Sequence, residues 1–253
     1  MTAWFENKAR PVAQLPRWIK TGLLLALLCQ FGWHFYQPAA TARIRPLPAP
    51  MSAQTYRLIS LDEPIATAKY LNLWLQSFDT QPGISLSFQQ LDYHRIILWL
   101  DTILKLDPKG QYPLLVAAHI YGSIHNHRKQ RMMMDYIFRK FQQHPGAYWR
   151  WLAHAVIIAK HELKDNALAL KYANALASAS ASKATHVPYW ARDLKIILLE
   201  DMGELEAARI IVGGLISHGD IHDRYEVKFL VQKLKTLQQK LKVRHKVENS
   251  TQK

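Results

Sequence analysis

From Leu61 onward, apolar residues recur at three- and four-residue spacing, broken at short intervals by proline, glycine and aspartate. This is the pattern of successive amphipathic helices. Ile65, Ala68, Leu71, Leu75 and Phe78 predict a helix over about 63–78 with Asp62 as its cap. Leu91, Ile96, Ile97, Leu100, Ile103 and Leu104 predict a second over about 88–106, stopped by Asp107-Pro108-Lys109-Gly110. Further helices are expected over 111–123, 128–143, 148–161, 166–178, 188–201 and 204–217, and Pro188 opens one of them in its first turn. Asp223 can cap a last helix to about Lys242, with Tyr225, Phe229, Leu230, Leu234 and Leu237 on one face. The expected class is all-α: about four helix pairs and a C-terminal capping helix, with no strands.

A separate pattern lies at the N-terminus. Thr21–Tyr36 carries no formal charge, and counted from Trp18 the segment is 19 residues, roughly 28 Å as a helix. Leu23, Leu24, Leu25, Leu27, Leu28 and Phe31 form its apolar run, with Trp18 at one edge and Trp33, Phe35 and Tyr36 at the other. Aromatic rings favour the headgroup level, so this spacing predicts one transmembrane helix over 18–37. A cleaved signal peptide is the alternative, with Ala40-Thr41-Ala42 as its cleavage site. Lys8, Arg10, Arg17 and Lys20 precede the segment and favour an inside N-terminus. The expected placement is a bacterial inner membrane, with the N-terminus cytoplasmic and the body periplasmic. The division expected is a basic tail over 1–17, the span over 18–37, a Pro-rich linker over 38–55, a repeat domain over 56–243 and a basic disordered tail over 244–253.

The two breaks at Asp107-Pro108 and His144-Pro145 lie 37 residues apart. Asp92-Tyr93 through Leu104-Lys105-Leu106-Asp107-Pro108-Lys109 resembles the second helix of a tetratricopeptide repeat, a family with a 34-residue period. Ala118 and Tyr121 stand where that family favours a small residue and an aromatic. Ala169-Leu170-Lys171-Tyr172-Ala173 and Gly203-Glu204-Leu205-Glu206-Ala207-Ala208 also look like second helices. Ile96 and Met133 depart from the pattern where a small alanine is expected, and the resemblance covers roughly residues 60–217. It implies a solenoid of stacked helix pairs whose first helices line a groove for protein segments. On that geometry Tyr112, His119, Trp149, Arg150 and Arg192 are the groove candidates. Trp, Tyr and Arg dominate binding hot spots, and the rings of Tyr148-Trp149-Arg150-Trp151 cannot all face one way on a helix.

Charge sharpens the partner question. The net charge of +14 divides into +5 over residues 1–50, +2 over 51–227 and +7 over 228–253. The body is nearly neutral, which argues against nucleic acid. The basic tail would attract anionic lipid headgroups.

Candidate chemistry is sparse. The one cysteine, Cys29, sits in the apolar run. His125-Asn126-His127, His218 with His222, and His154 with His161 are pairs, whereas a metal site needs three or four ligands. His161-Glu162 begins like a helical zinc-protease motif, but Asp165 stands where the second histidine belongs. No nucleophile elbow or phosphate loop is present, and Gly213-Gly214 reads as a close helix packing. Arg128-Lys129-Gln130-Arg131 before Met132-Met133-Met134 reads as an exposed turn leading into core methionines. The expectation is no catalytic residue, no metal, no cofactor and no small-molecule substrate. The expected function is a membrane-anchored protein–protein interaction scaffold that recruits or stabilises a cell-envelope complex through its groove. The alternatives are an accessory structural subunit of a membrane enzyme complex, or a lipid or nucleic-acid surface binder acting through the basic tail.

Overall fold

A computed structural model of the chain describes residues 16–37, 44–81, 83–218 and 223–251. It divides into two units, Met1–Ile44 with Pro82–Ile84, and Arg45–Gln81 with Ser85–Lys253. The residues expected as the basic tail before Pro16, the cleavage site Ala40-Thr41-Ala42 and His222 lie outside the described residues.

The first unit contributes α1 (Arg17–Tyr36), a 20-residue helix with no buried residue. Trp18, Leu23, Leu24, Leu25, Leu27, Leu28, Phe31, Trp33 and Tyr36 are all exposed. The expected transmembrane helix is not found, because no helix among the described residues is long and apolar enough to cross a membrane. The reason is dilution. The continuous apolar run is Leu23–Cys29, about 10 Å of helix against a hydrocarbon core of about 30 Å. Lys20, Thr21, Gln30 and His34 polarise the turns on either side.

The second unit is built from ten helices among the described residues: α2 (Ala53–Ile59), α3 (Pro64–Gln76), α4 (Tyr93–Leu106), α5 (Tyr112–Leu115), α6 (His127–Gln143), α7 (Pro145–His161), α8 (Asn166–Ser180), α9 (Asp193–Asp201), α10 (Leu205–His218) and α11 (Arg224–Thr251). Local chemistry starts them where it should. Asp92 accepts from the amides of His94 and Arg95, Asn126 from Lys129, and Asp165 from Leu168, each satisfying a first-turn donor. Asp62 does not cap: it and Leu61 adopt left-handed backbone (φ 68° and 49°), and Pro64 begins the helix after Glu63.

Helices pair in chain order: α3 with α4, α6 with α7, α7 with α8, α9 and α10 with their neighbours, and α11 on α10. Leu75, Ile96, Leu100, Ile103, Met133, Met134 and Ile137 fill the core with no more than 1% exposure. Four tyrosines are equally buried, and three of them satisfy their hydroxyls internally. Tyr93 donates to the Tyr121 carbonyl at 3.0 Å, Tyr121 to the Leu75 carbonyl at 3.3 Å, and Tyr172 to Asp135 at 2.9 Å. Burial pushes all of their hydroxyl pKa values upward.

Several features depart from the sequence reading. Two short strands, Thr80–Gln81 and Ile84–Ser85, form a two-stranded sheet where only a break was expected. Residues before α2 lie against α4: Leu47 is 2% exposed, and Trp99 Nε1 donates to the Pro48 carbonyl at 2.8 Å. The helix expected over 111–123 is split, α5 passing into a π-helical segment, Val116–Tyr121. Gly213 and Gly214 permit no close packing, since a Cβ at either would meet nothing within 4 Å. Gly146 and Gly122 do: a Cβ at Gly146 would collide with the Thr185 carbonyl oxygen, and one at Gly122 with the Met134 methyl of α6. α11 runs on to Thr251, past the expected end near Lys242 and through the stretch expected to be disordered. Leu230 and Leu237 of α11 are buried, but Tyr225 and Phe229 are exposed.

Candidate functional site

The first helices of successive pairs share one surface rich in rings. Tyr112 opens α5, is 40% exposed, and exchanges a hydrogen bond with Gln76 of α3 at 3.2 Å. His119 sits exposed in the π-helical segment. Such segments insert one residue into a helical turn and are frequent at functional sites. Its ring lies 4.2 Å from that of His154 and edge-on to Trp151 at 6.2 Å, both on α7. Trp151 is held from the other side, its Nε1 donating to Gln111 Oε1 at 2.7 Å.

α7 organises the centre of this surface. Successive residues are rotated by about 100° on a helix, so Trp149 and Trp151 splay to either side of Arg150. Trp151 meets His119, while Trp149 packs edge-on at 5.0 Å against Trp190, which is half-exposed in the short 3₁₀ turn Tyr189–Arg192. Arg150 points outward with its guanidinium carbon 5.4 Å from the Trp149 ring centre. Ile157, two turns on and also exposed, continues the same outward line. Tyr148 is buried instead, its hydroxyl donating to the Pro108 carbonyl at 2.9 Å.

Beneath the rings lies a polar layer. Gln130 is 1% exposed and donates to the Gly122 carbonyl at 2.8 Å and to Glu162. His154 Nε2 is buried and has no hydrogen-bond partner. Burial and, second, the neighbouring His119 hold the His154 pKa below its ordinary value, against an opposing pull from Glu162. His154 is therefore a neutral ring with one nitrogen unsatisfied at the edge of an exposed surface.

His119 thus meets α7, which also carries Trp149 and Arg150, whereas Tyr112 contacts Gln76 of α3 and Arg192 lies elsewhere. The Arg192 side chain is 13% exposed, and its Nε and terminal nitrogen both donate to Glu226 Oε1, at 3.1 and 2.5 Å. Both residues wall a cleft of about 940 Å³ beside α10 and α11. Asp193, beside them, has its carboxyl pushed up to about 6 by burial and by Glu226. Trp190, His154 and Gln111 complete the ring surface. The π-helical segment that aims His119 at α7 leaves no spacing signal in the sequence.

Other candidate chemistry dissolves into structure. Arg131 pairs with Asp165 at 2.6 Å, Lys129 donates to the Gln89 and Leu91 carbonyls, and Met133 and Met134 are core residues. Among the described residues no group of three or more His, Cys, Asp or Glu side chains is arranged to hold a metal ion. What the arrangement offers is flat apolar area and one outward cation, which suits recognition of another chain. Comparison with known proteins finds no family model, no curated protein and no solved structure that matches this chain.

Proposed function

We propose that this chain is a protein-interaction scaffold that binds a partner segment across the ring surface of its first helices. The observation that carries this reading is the continuous series His119, Trp151, Arg150, Trp149 and Trp190, which spans three successive pairs with Arg150 exposed at its centre. A partner side chain laid along it gains stacking area on the tryptophans and a cation–π or carboxylate contact at Arg150. Tryptophan and arginine are enriched among the few interface residues whose truncation costs about 2 kcal/mol or more.

The test is site-specific photocrosslinking in cells with the full chain. A photoreactive residue is placed at position 150 or 190, and at Gln142, exposed on α6, as the control. One discrete protein adduct from both ring-surface positions and none from position 142 is expected. No adduct, or the same adducts from all three positions, would overturn the proposal.

A further inference from the structure

α11 presents two chemically opposed faces. Its inward cations are all engaged. Lys233 and Lys240 both clamp Glu200, and Arg244 donates to the Gly203 carbonyl at 3.2 Å, alongside buried Leu230 and Leu237. Glu226 also turns inward, to Arg192. The opposite face holds Arg224, Lys228, Lys235, Lys242 and Lys246, all exposed. Their spacings of four, seven, seven and four residues place all five within an arc of about 40°, in a straight line about 33 Å long. Among the described residues none of these five forms an ion pair with a carboxylate. Apolar side chains flank the line: Tyr225 and Val243 on one side, Val227 and Val231 on the other, with Tyr225 85% exposed.

We propose that this outward face of α11 docks on the anionic surface of a lipid bilayer. Five unneutralised cations on one side of a rigid helix supply the electrostatic attraction. The flanking valines and Tyr225, which would otherwise stay in water, enter the headgroup boundary when the line lies flat. The geometry favours a bilayer over a nucleic-acid duplex. A straight line of this length matches a plane, whereas a duplex phosphate backbone turns fully around its axis over a similar distance and offers exposed valines nothing. The inference does not rest on the ring surface, which belongs to other helices.

The experiment is cosedimentation of the full chain with phosphatidylcholine vesicles and with the same vesicles containing phosphatidylglycerol. Neutral vesicles set the baseline from α1 and other apolar surface, and the anion-dependent increment reads α11. The variant Lys228→Glu/Lys235→Glu/Lys242→Glu, shown by circular dichroism to keep wild-type helicity, is expected to lose that increment by about a hundredfold. A second variant, Val227→Ser/Val231→Ser, keeps every charge and is expected to lose the part of the binding that survives high salt. Equal partition of wild type into both vesicle types, or an increment unchanged by the charge reversal, would overturn the proposal. Short duplex DNA that binds as tightly as the anionic vesicles, equally in wild type and in the valine variant, would replace the bilayer by nucleic acid and also overturn it.

Discussion

Replacing Arg192 with alanine separates a structural arginine from a partner-binding one. The guanidinium is almost fully buried and serves two carboxylates at once: it bonds Glu226 directly, and its charge pulls down the pKa of Asp193, whose Oδ1 has no hydrogen-bond partner. Removing it leaves two buried acids facing each other with Lys233 as the remaining cation acting on Asp193. Breaking a buried pair in this way costs about 3–5 kcal/mol. At ~2–4 °C per kcal/mol for a domain of this size, the melting temperature should fall by about 6–20 °C. The assay is thermal unfolding followed by circular dichroism at pH 7.5 and pH 5. Asp193 already titrates near 6 in the folded chain, above its ordinary 3.8, and loss of Arg192 raises it further. The folded variant then binds more protons than the unfolded chain, so its stability rises as pH falls from above 6 towards 4. The deficit relative to wild type should therefore be larger at pH 7.5 than at pH 5. An Arg192→Ala protein with unchanged stability at both pH values and lost partner binding would refute this reasoning and return Arg192 to the binding surface.

Two further expectations test other parts of the structure. Gly146→Ala should destabilise by about 1–3 kcal/mol because the new methyl meets the Thr185 carbonyl, whereas Gly213→Ala should stabilise by about 0.5–1 kcal/mol because it meets nothing and adds helix propensity; denaturant midpoints read both, and equal signs would contradict the packing described. His154 has a lowered folded pKa, so the unfolded chain takes up its proton first as pH falls through 6.5. That contribution is constant above this value and is lost on acidification, so the stability difference between wild type and His154→Gln should shift against wild type below pH 6.5, and a difference independent of pH would count against a buried neutral ring.

Helices that bury a wide apolar stripe were legible from spacing alone, because each side chain that packs inward leaves its period in the sequence. α4 and α6, with Ile96, Leu100, Ile103, Met133, Met134 and Ile137, are of this kind. α2 left no such trace, since only Tyr56 is buried in its seven residues. Apolarity also misassigned the inward face of α11. Tyr225 and Phe229 look like core residues, yet the face that docks carries Glu226, Lys233 and Lys240, because Arg192 and Glu200 of the neighbouring elements neutralise those charges on arrival. A sequence shows the charges but not the partners that make burying them acceptable. The same blindness made Arg150 and Arg192 look alike, although one stacks in the open on Trp149 and the other is enclosed with Glu226. In α1 a short leucine run outweighed the polar residues around it in the reading, while the whole helix is not apolar enough to cross a membrane.

The two proposed surfaces draw on different physics and need not compete. The ring surface gains from stacking and desolvation, with a single outward cation at Arg150, so its complexes should respond weakly to ionic strength. The α11 line gains chiefly from five charges at the helix surface, and its affinity should fall steeply as salt rises. The inward pairs of α11 explain why the cations can be so segregated. Lys233, Lys240 and Arg244 are spent on Glu200 and Gly203 to hold the helix down, which leaves the remaining five exposed on the opposite side among the described residues. Loss of Glu200 would therefore release α11 without touching a single outward lysine. A Glu200→Gln chain that loses anionic-vesicle binding together with its C-terminal helicity would show that attraction to the bilayer depends on the line being held rigid and straight, and not on the number of basic residues alone.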